Sequence, residues 1–177
     1  LFVEFAVNDG GAQPEQIIRC MEGIVRQTWR TLPECDICFV YTVTEALVGP
    51  LLEGRFQRSA SAMEKVADHY GIPTIHMGLE VARFAKEGRL LWRASLPKTE
   101  EEKTALGDKF VFAPDSVHPH VETGHELYLA AVVRSLGQMG SAAGKAGAHE
   151  LAAALGPTNY EQAQMVPISG VNPGAGF

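Results

Sequence analysis

Asp115-Ser116-Val117-His118-Pro119 places a carboxylate and an imidazole three residues apart in a loop bounded by Pro114 and Pro119. A carboxylate at that spacing can accept the imidazole Nδ1–H. It then fixes the ring's tautomer and stabilises the imidazolium formed when Nε2 takes a proton. The pair is thus the orienting half of an acid–base relay, although an ordinary Asp-capped surface loop has the same spacing. A second polar feature, Asn8-Asp9, follows directly on the apolar run LFVEFAV. Ligands of parallel sheets meet the carboxyl ends of the strands. An Asn amide at such an end can donate to a developing oxyanion. Asn-Asp-Gly-Gly is also turn chemistry in its own right, and the two roles are compatible.

The elements that must position these groups alternate. Leu1–Val7, Ile37–Thr42 and Pro73–Met77 are short, continuously apolar runs, as expected for strands covered on both faces. Between them, Pro14 opens a helix with Ile17, Ile18, Met21, Ile24, Val25 and Trp29 on one face and Arg19, Glu22, Arg26 and Arg30 on the other. Gly49-Pro50 and Gly54 mark a long loop. Helices are predicted over 60–70, closed by Gly71, and over 78–86, ending near Gly88. Residues 89–109 are polar and irregular around a capping box, Thr99 with Glu102. Phe110–Phe112 is briefly apolar. Thr123 with Glu126 reads as a second capping box, opening a helix that Gly137 ends. Strand–helix alternation of this kind predicts an α/β protein built on a parallel sheet. Residues 1–137 form the domain. Residues 138–177 read as an Ala/Gly-rich linker leading, through the strand-like Met165–Ile168, into a further segment.

Composition narrows the function classes. The net charge is -6 and no basic cluster is visible, which disfavours a nucleic-acid or anionic-membrane surface. No apolar run reaches the length of a membrane span. Leu1 opens a strand-like run with no basic region before it, so no signal peptide is read, and the compartment stays open between cytoplasmic and secreted. Cys35 and Cys38 form a C-x-x-C that leads into a strand rather than a helix, so with Cys20 they are read as reduced structural thiols. His118, His120 and His125 with Asp115 are competent metal ligands. In an extended segment, however, His120 should point away from His118, and no metal is expected. His76 ends a strand-like run on the same side and is read as a packing or substrate-lining residue.

With these motifs in order, the chain resembles the SGNH (GDSL-type) hydrolase family. Ala6-Val7-Asn8-Asp9 matches the family's G-x-N-D block, with Ala6 in place of the usual Gly, and Asp115-Ser-Val-His118-Pro119 matches its D-x-x-H-P block. The resemblance covers roughly residues 1 to 136. It implies a flavodoxin-like three-layer α/β/α parallel sheet and hydrolysis of small acyl esters, such as carbohydrate acetyl groups or short-chain esters. It further implies His118 as the base, Asp115 as its orienter, Asn8 as an oxyanion donor and Asp9 as a neighbouring lining residue, with no metal or organic cofactor.

The family's G-D-S block, which carries the nucleophile, is absent from these 177 residues. Ser116 lies inside the D-x-x-H loop and would have to fold back on its own base. Ser59 and Ser61 belong to a predicted helix start, and Ser169 to the tail. By the family pattern the nucleophile and the first strands would come from residues outside this chain. Removing the serine from a triad lowers turnover by on the order of 10⁶, so the chain alone is expected to be nearly inert. The run Leu1–Val7 would then present an apolar edge, to be covered by a further segment, a second chain or another copy. The competing expectation is a non-catalytic hydrolase-like module that binds a partner or carbohydrate. A flavodoxin-like nucleotide-binding domain is disfavoured, because no glycine-rich phosphate loop follows any strand.

Overall fold

The computed structural model describes residues 1–142, 144, 147–165, 167 and 169. Three parallel strands, β1 (Phe2–Val3), β2 (Cys38–Tyr41) and β3 (Thr74–His76), form a sheet in the order β1-β2-β3. Successive side chains of a strand point to opposite faces, and each face meets helices. Val3, Phe39 and Tyr41 pack with residues of α1 (Pro14–Thr31) and α3 (Arg58–Tyr70). Cys38, Val40 and Ile75 pack with residues of α4 (Gly78–Lys86) and α6 (Gly124–Ala142). The protein is therefore mixed α/β with a parallel sheet covered on both sides. A second parallel pair, β4 (Leu90–Leu91) with β5 (Phe110–Val111), leads into the Asp115 loop. The short helix α5 (Glu100–Leu106) is opened by the expected Thr99–Glu102 capping box.

Several expectations are corrected. The stretch containing Gly49-Pro50 is not a loop but a helix, α2 (Glu45–Leu52). Proline removes one backbone bond from a helix interior, but Val48 and Leu51 are buried in the core shared with α4, and this packing outweighs it. The β1 ladder is short. The run that looked like a strand to Val7 leaves β2 after Val3 and turns through a 3-10 segment, Asn8–Gly11. Thr123 does not cap α6 through Glu126; its hydroxyl donates to the Val111 carbonyl. Nor does Gly137 end α6, which continues to Ala142. Glycine stops a helix when it takes a left-handed conformation, as Gly71 does at φ 65° after α3, and Gly137 does not.

The polar face of α1 is not free either. Residues 147–165 return across it, and Leu151 and Leu155 pack on the α1–α3 core. Glu22 and Arg26 are buried beneath this segment. Glu22 accepts the Tyr70 hydroxyl at 2.7 Å and the Leu155 N–H. Arg26 pairs with Glu161 and donates to the Ala152 carbonyl at 2.8 Å. Gly23 is required here, since a Cβ would stand 2.9 Å from that of Tyr160. The strand expected at Met165–Ile168 lies partly outside the described residues, and Met165 is exposed.

Candidate functional site

The loop carrying Asp115 and His118 is pinned on several sides. The Arg93 N–H donates to the Asp115 carbonyl at 3.2 Å, and the Ala94 N–H to that of Ala113 at 3.0 Å. From the other side, the first residue of α2, Glu45, donates its N–H to Ser116 O at 3.1 Å. The His120 N–H donates to Phe112 O at 2.8 Å, and its ring Nε2 meets Ala94 O at 2.9 Å. Gly124 allows the close approach of α6, because a Cβ there would stand 2.5 Å from both Phe112 O and Pro119 Cβ.

Within this frame Asp115 organises His118 completely. Its Oδ1 accepts the N–H groups of Val117 and His118, each at 2.7 Å, and its Oδ2 meets His118 Nδ1 at 2.8 Å. The His118 side-chain bond, followed by these backbone bonds, holds the Asp115 carboxyl well below the usual carboxylate range. An ionised Asp115 requires a proton on Nδ1 and leaves Nε2 as the basic nitrogen of a neutral ring. Both side chains are exposed, at 50% for Asp115 and 81% for His118. A contact so exposed adds little to stability.

Asn8 reaches the same place from the opposite end of the chain. It begins the turn after β1 and shares with His118 the lining of a cavity of about 590 Å³. Glu4, Thr42, His125, Glu126 and Tyr128 also line it with polar groups, and Val7, Met77, Val117, Val121, Leu129 and Val132 form most of its apolar wall. Tyr128 of α6 anchors that wall to the end of β2, its hydroxyl bonding Val43 N at 3.1 Å and Val43 O at 3.3 Å. A base with a fixed tautomer, an amide donor and an apolar wall at the carboxyl ends of parallel strands can bind a small carbonyl compound and move a proton beside it.

Two residues read from the sequence lie elsewhere. Asp9 does not line the cavity. His76 does not line it either; its ring packs against Tyr41 and Phe56 at centroid distances of 5.9 and 5.1 Å. Both its ring nitrogens are buried without a hydrogen-bond partner among the described residues, and burial pushes its pKa down to about 4. No group of three or more His, Cys, Asp or Glu side chains among the described residues could hold a metal ion. His120 has turned to Ala94 instead.

The serines do not complete a relay. No hydroxyl or thiol among the described residues hydrogen-bonds His118. Ser59 is buried and donates to Ala6 O, and Thr42, which does line the cavity, donates to Glu4 at 2.8 Å. Glu4 also lines this cavity, and its only signal in the sequence is a charge inside the otherwise apolar run Leu1–Val7. Comparisons with protein-family models, with curated proteins and with solved structures all return no match.

Proposed function

We propose that this chain is the base-bearing part of an SGNH-type serine esterase acting on small acyl esters. The observation that carries the reading is the Asp115 Oδ2–His118 Nδ1 contact of 2.8 Å, on a cavity that Asn8 also lines. In this reading a serine hydroxyl loses its proton to His118 Nε2 as it attacks the ester carbonyl. Asn8 donates to the oxyanion of the tetrahedral intermediate. His118 returns the proton to the leaving alcohol, and water then repeats the sequence on the acyl-enzyme. Asp115 orients the ring throughout and stays ionised.

The serine is assigned to residues outside the 177, on a strand of a flavodoxin-like sheet running alongside β1. Two features support that placement. Among the described residues β1 pairs on one side only, with β2. Phe2 on this strand, Leu1 and Phe5 flanking it, and Leu129, Val133 and Leu136 on α6 are exposed apolar groups. A further part of the polypeptide, a different chain or a second copy would cover this edge. No helix among the described residues is long and apolar enough to cross a membrane.

The test is p-nitrophenyl acetate hydrolysis by the full-length gene product. His118→Ala is expected to abolish it, and retention of most activity would sink the assignment. A second reading, a hydrolase-like binding module without catalysis, is favoured by the absence of any hydroxyl bonded to His118 among the described residues. It requires the full-length product to be inert.

A further inference from the structure

Glu4 is the one charged residue in the run Leu1–Val7. Placing a carboxylate at a part-buried strand end is unfavourable unless its oxygens are satisfied. Here Oε1 accepts the Ala6 N–H at 3.0 Å, the Thr42 hydroxyl at 2.8 Å and the Thr42 N–H at 3.5 Å. One oxygen therefore ties the chain leaving β1 to the chain leaving β2. Ala6 is held from its other side as well, because the buried Ser59 hydroxyl donates to its carbonyl. Beyond Asn8, the Arg58 guanidinium donates to Gly10 O at 3.1 Å and Ala12 O at 2.9 Å.

Asn8 thus sits on a turn whose backbone is fixed at Ala6, Gly10 and Ala12, while Glu4 lines the same cavity as Asn8 and His118. We infer that Glu4 is a positioning residue, holding the turn so that the Asn8 amide is preorganised toward the reacting carbonyl. The inference rests on the reading of Asn8 as an oxyanion donor. An oxyanion donor works because it needs no reorganisation as charge develops, and a misplacement of about 1 Å can lower the rate on the order of 100-fold. The role requires an acceptor oxygen at this place and does not require a charge.

The experiment is a double-mutant cycle on ester hydrolysis by the full-length gene product, with kcat and KM measured separately. Asn8→Ala is expected to lower kcat on the order of 100-fold or more. Glu4→Ala is expected to lower kcat about tenfold or more with KM within about twofold. Glu4→Gln, which keeps an acceptor for Ala6 and Thr42, should restore most of the turnover. Because Glu4 acts through Asn8, adding Glu4→Ala to Asn8→Ala should produce little further loss. Losses that multiply, a change confined to KM, or no rescue by Gln would each overturn the inference. If Glu4→Ala does not fold, Thr42→Val takes its place in the cycle, with a smaller kcat loss expected and the same non-additivity. If Asn8→Ala itself leaves kcat unchanged, the oxyanion reading fails. If Asn8→Ala lowers kcat while Glu4→Ala does not, only the role of Glu4 fails.

Discussion

Replacing His76 by Leu tests whether this buried imidazole is a packing group rather than part of the acid–base machinery. Its ring sits between Tyr41 and Phe56 with both nitrogens buried and unpartnered among the described residues. Burial lowers its pKa from 6.5 to about 4. The folded chain therefore keeps the ring neutral where the unfolded chain already binds a proton. Between those two values the unfolded state holds more protons, so stability falls as pH falls through the window. At about 1.4 kcal/mol per unit of pKa difference, the full effect is on the order of 3 kcal/mol. It is absent above the unfolded pKa and fully developed below the folded one. Urea unfolding followed by tryptophan fluorescence, on both proteins from about pH 7.5 to about pH 4, isolates the term as a difference between them. The wild type is expected to lose on the order of 3 kcal/mol relative to His76→Leu across that range. Near neutrality the variant should be no less stable, since it removes two unsatisfied polar atoms. A stability difference that does not change with pH would refute the reasoning.

Other outcomes follow from the packing. Arg26→Met leaves Tyr70 and the Ala152 carbonyl without their shared donor, while Arg30 stays paired with Glu161 at 2.9 Å. The substitution should destabilise by about 1–3 kcal/mol in urea unfolding, the cost of leaving buried hydrogen-bond partners unsatisfied. It should also release the 147–165 segment to faster amide exchange. Gly124→Ala drives a Cβ into Phe112 O and Pro119. A destabilisation of about 1–3 kcal/mol is expected from such overpacking and, under the proposed esterase reading, a loss of turnover in the full-length product, because Pro119 adjoins His118.

What was legible in the sequence was what depends on neighbours in the chain. The apolar runs at β1, β2 and β3, the periodic face of α1, the Gly71 stop after α3 and the Thr99–Glu102 cap all rest on local patterns. The Asp115–His118 contact was legible for the same reason, since a loop of three residues cannot place the two groups far apart. What failed depended on distant contacts. Pro50 argues against a helix until α4 is available to pack on. Glu22 and Arg26 look like a solvated face until residues 147–165 cover them. His76 ends its strand on the expected side, yet Phe56, from the connection before α3, closes over its ring. The joining of Asn8 to His118 across more than a hundred residues was available only through the likeness of motifs.

The central claim is that Asp115 and His118 activate a serine that these 177 residues do not contain. Its most direct test is to treat the full-length gene product with a serine-directed fluorophosphonate and map the labelled peptide by mass spectrometry. The expected result is a single labelled serine outside residues 1–177, with labelling suppressed in His118→Ala. Absence of labelling in an intact, folded protein, or labelling of a serine within residues 1–177, would contradict it.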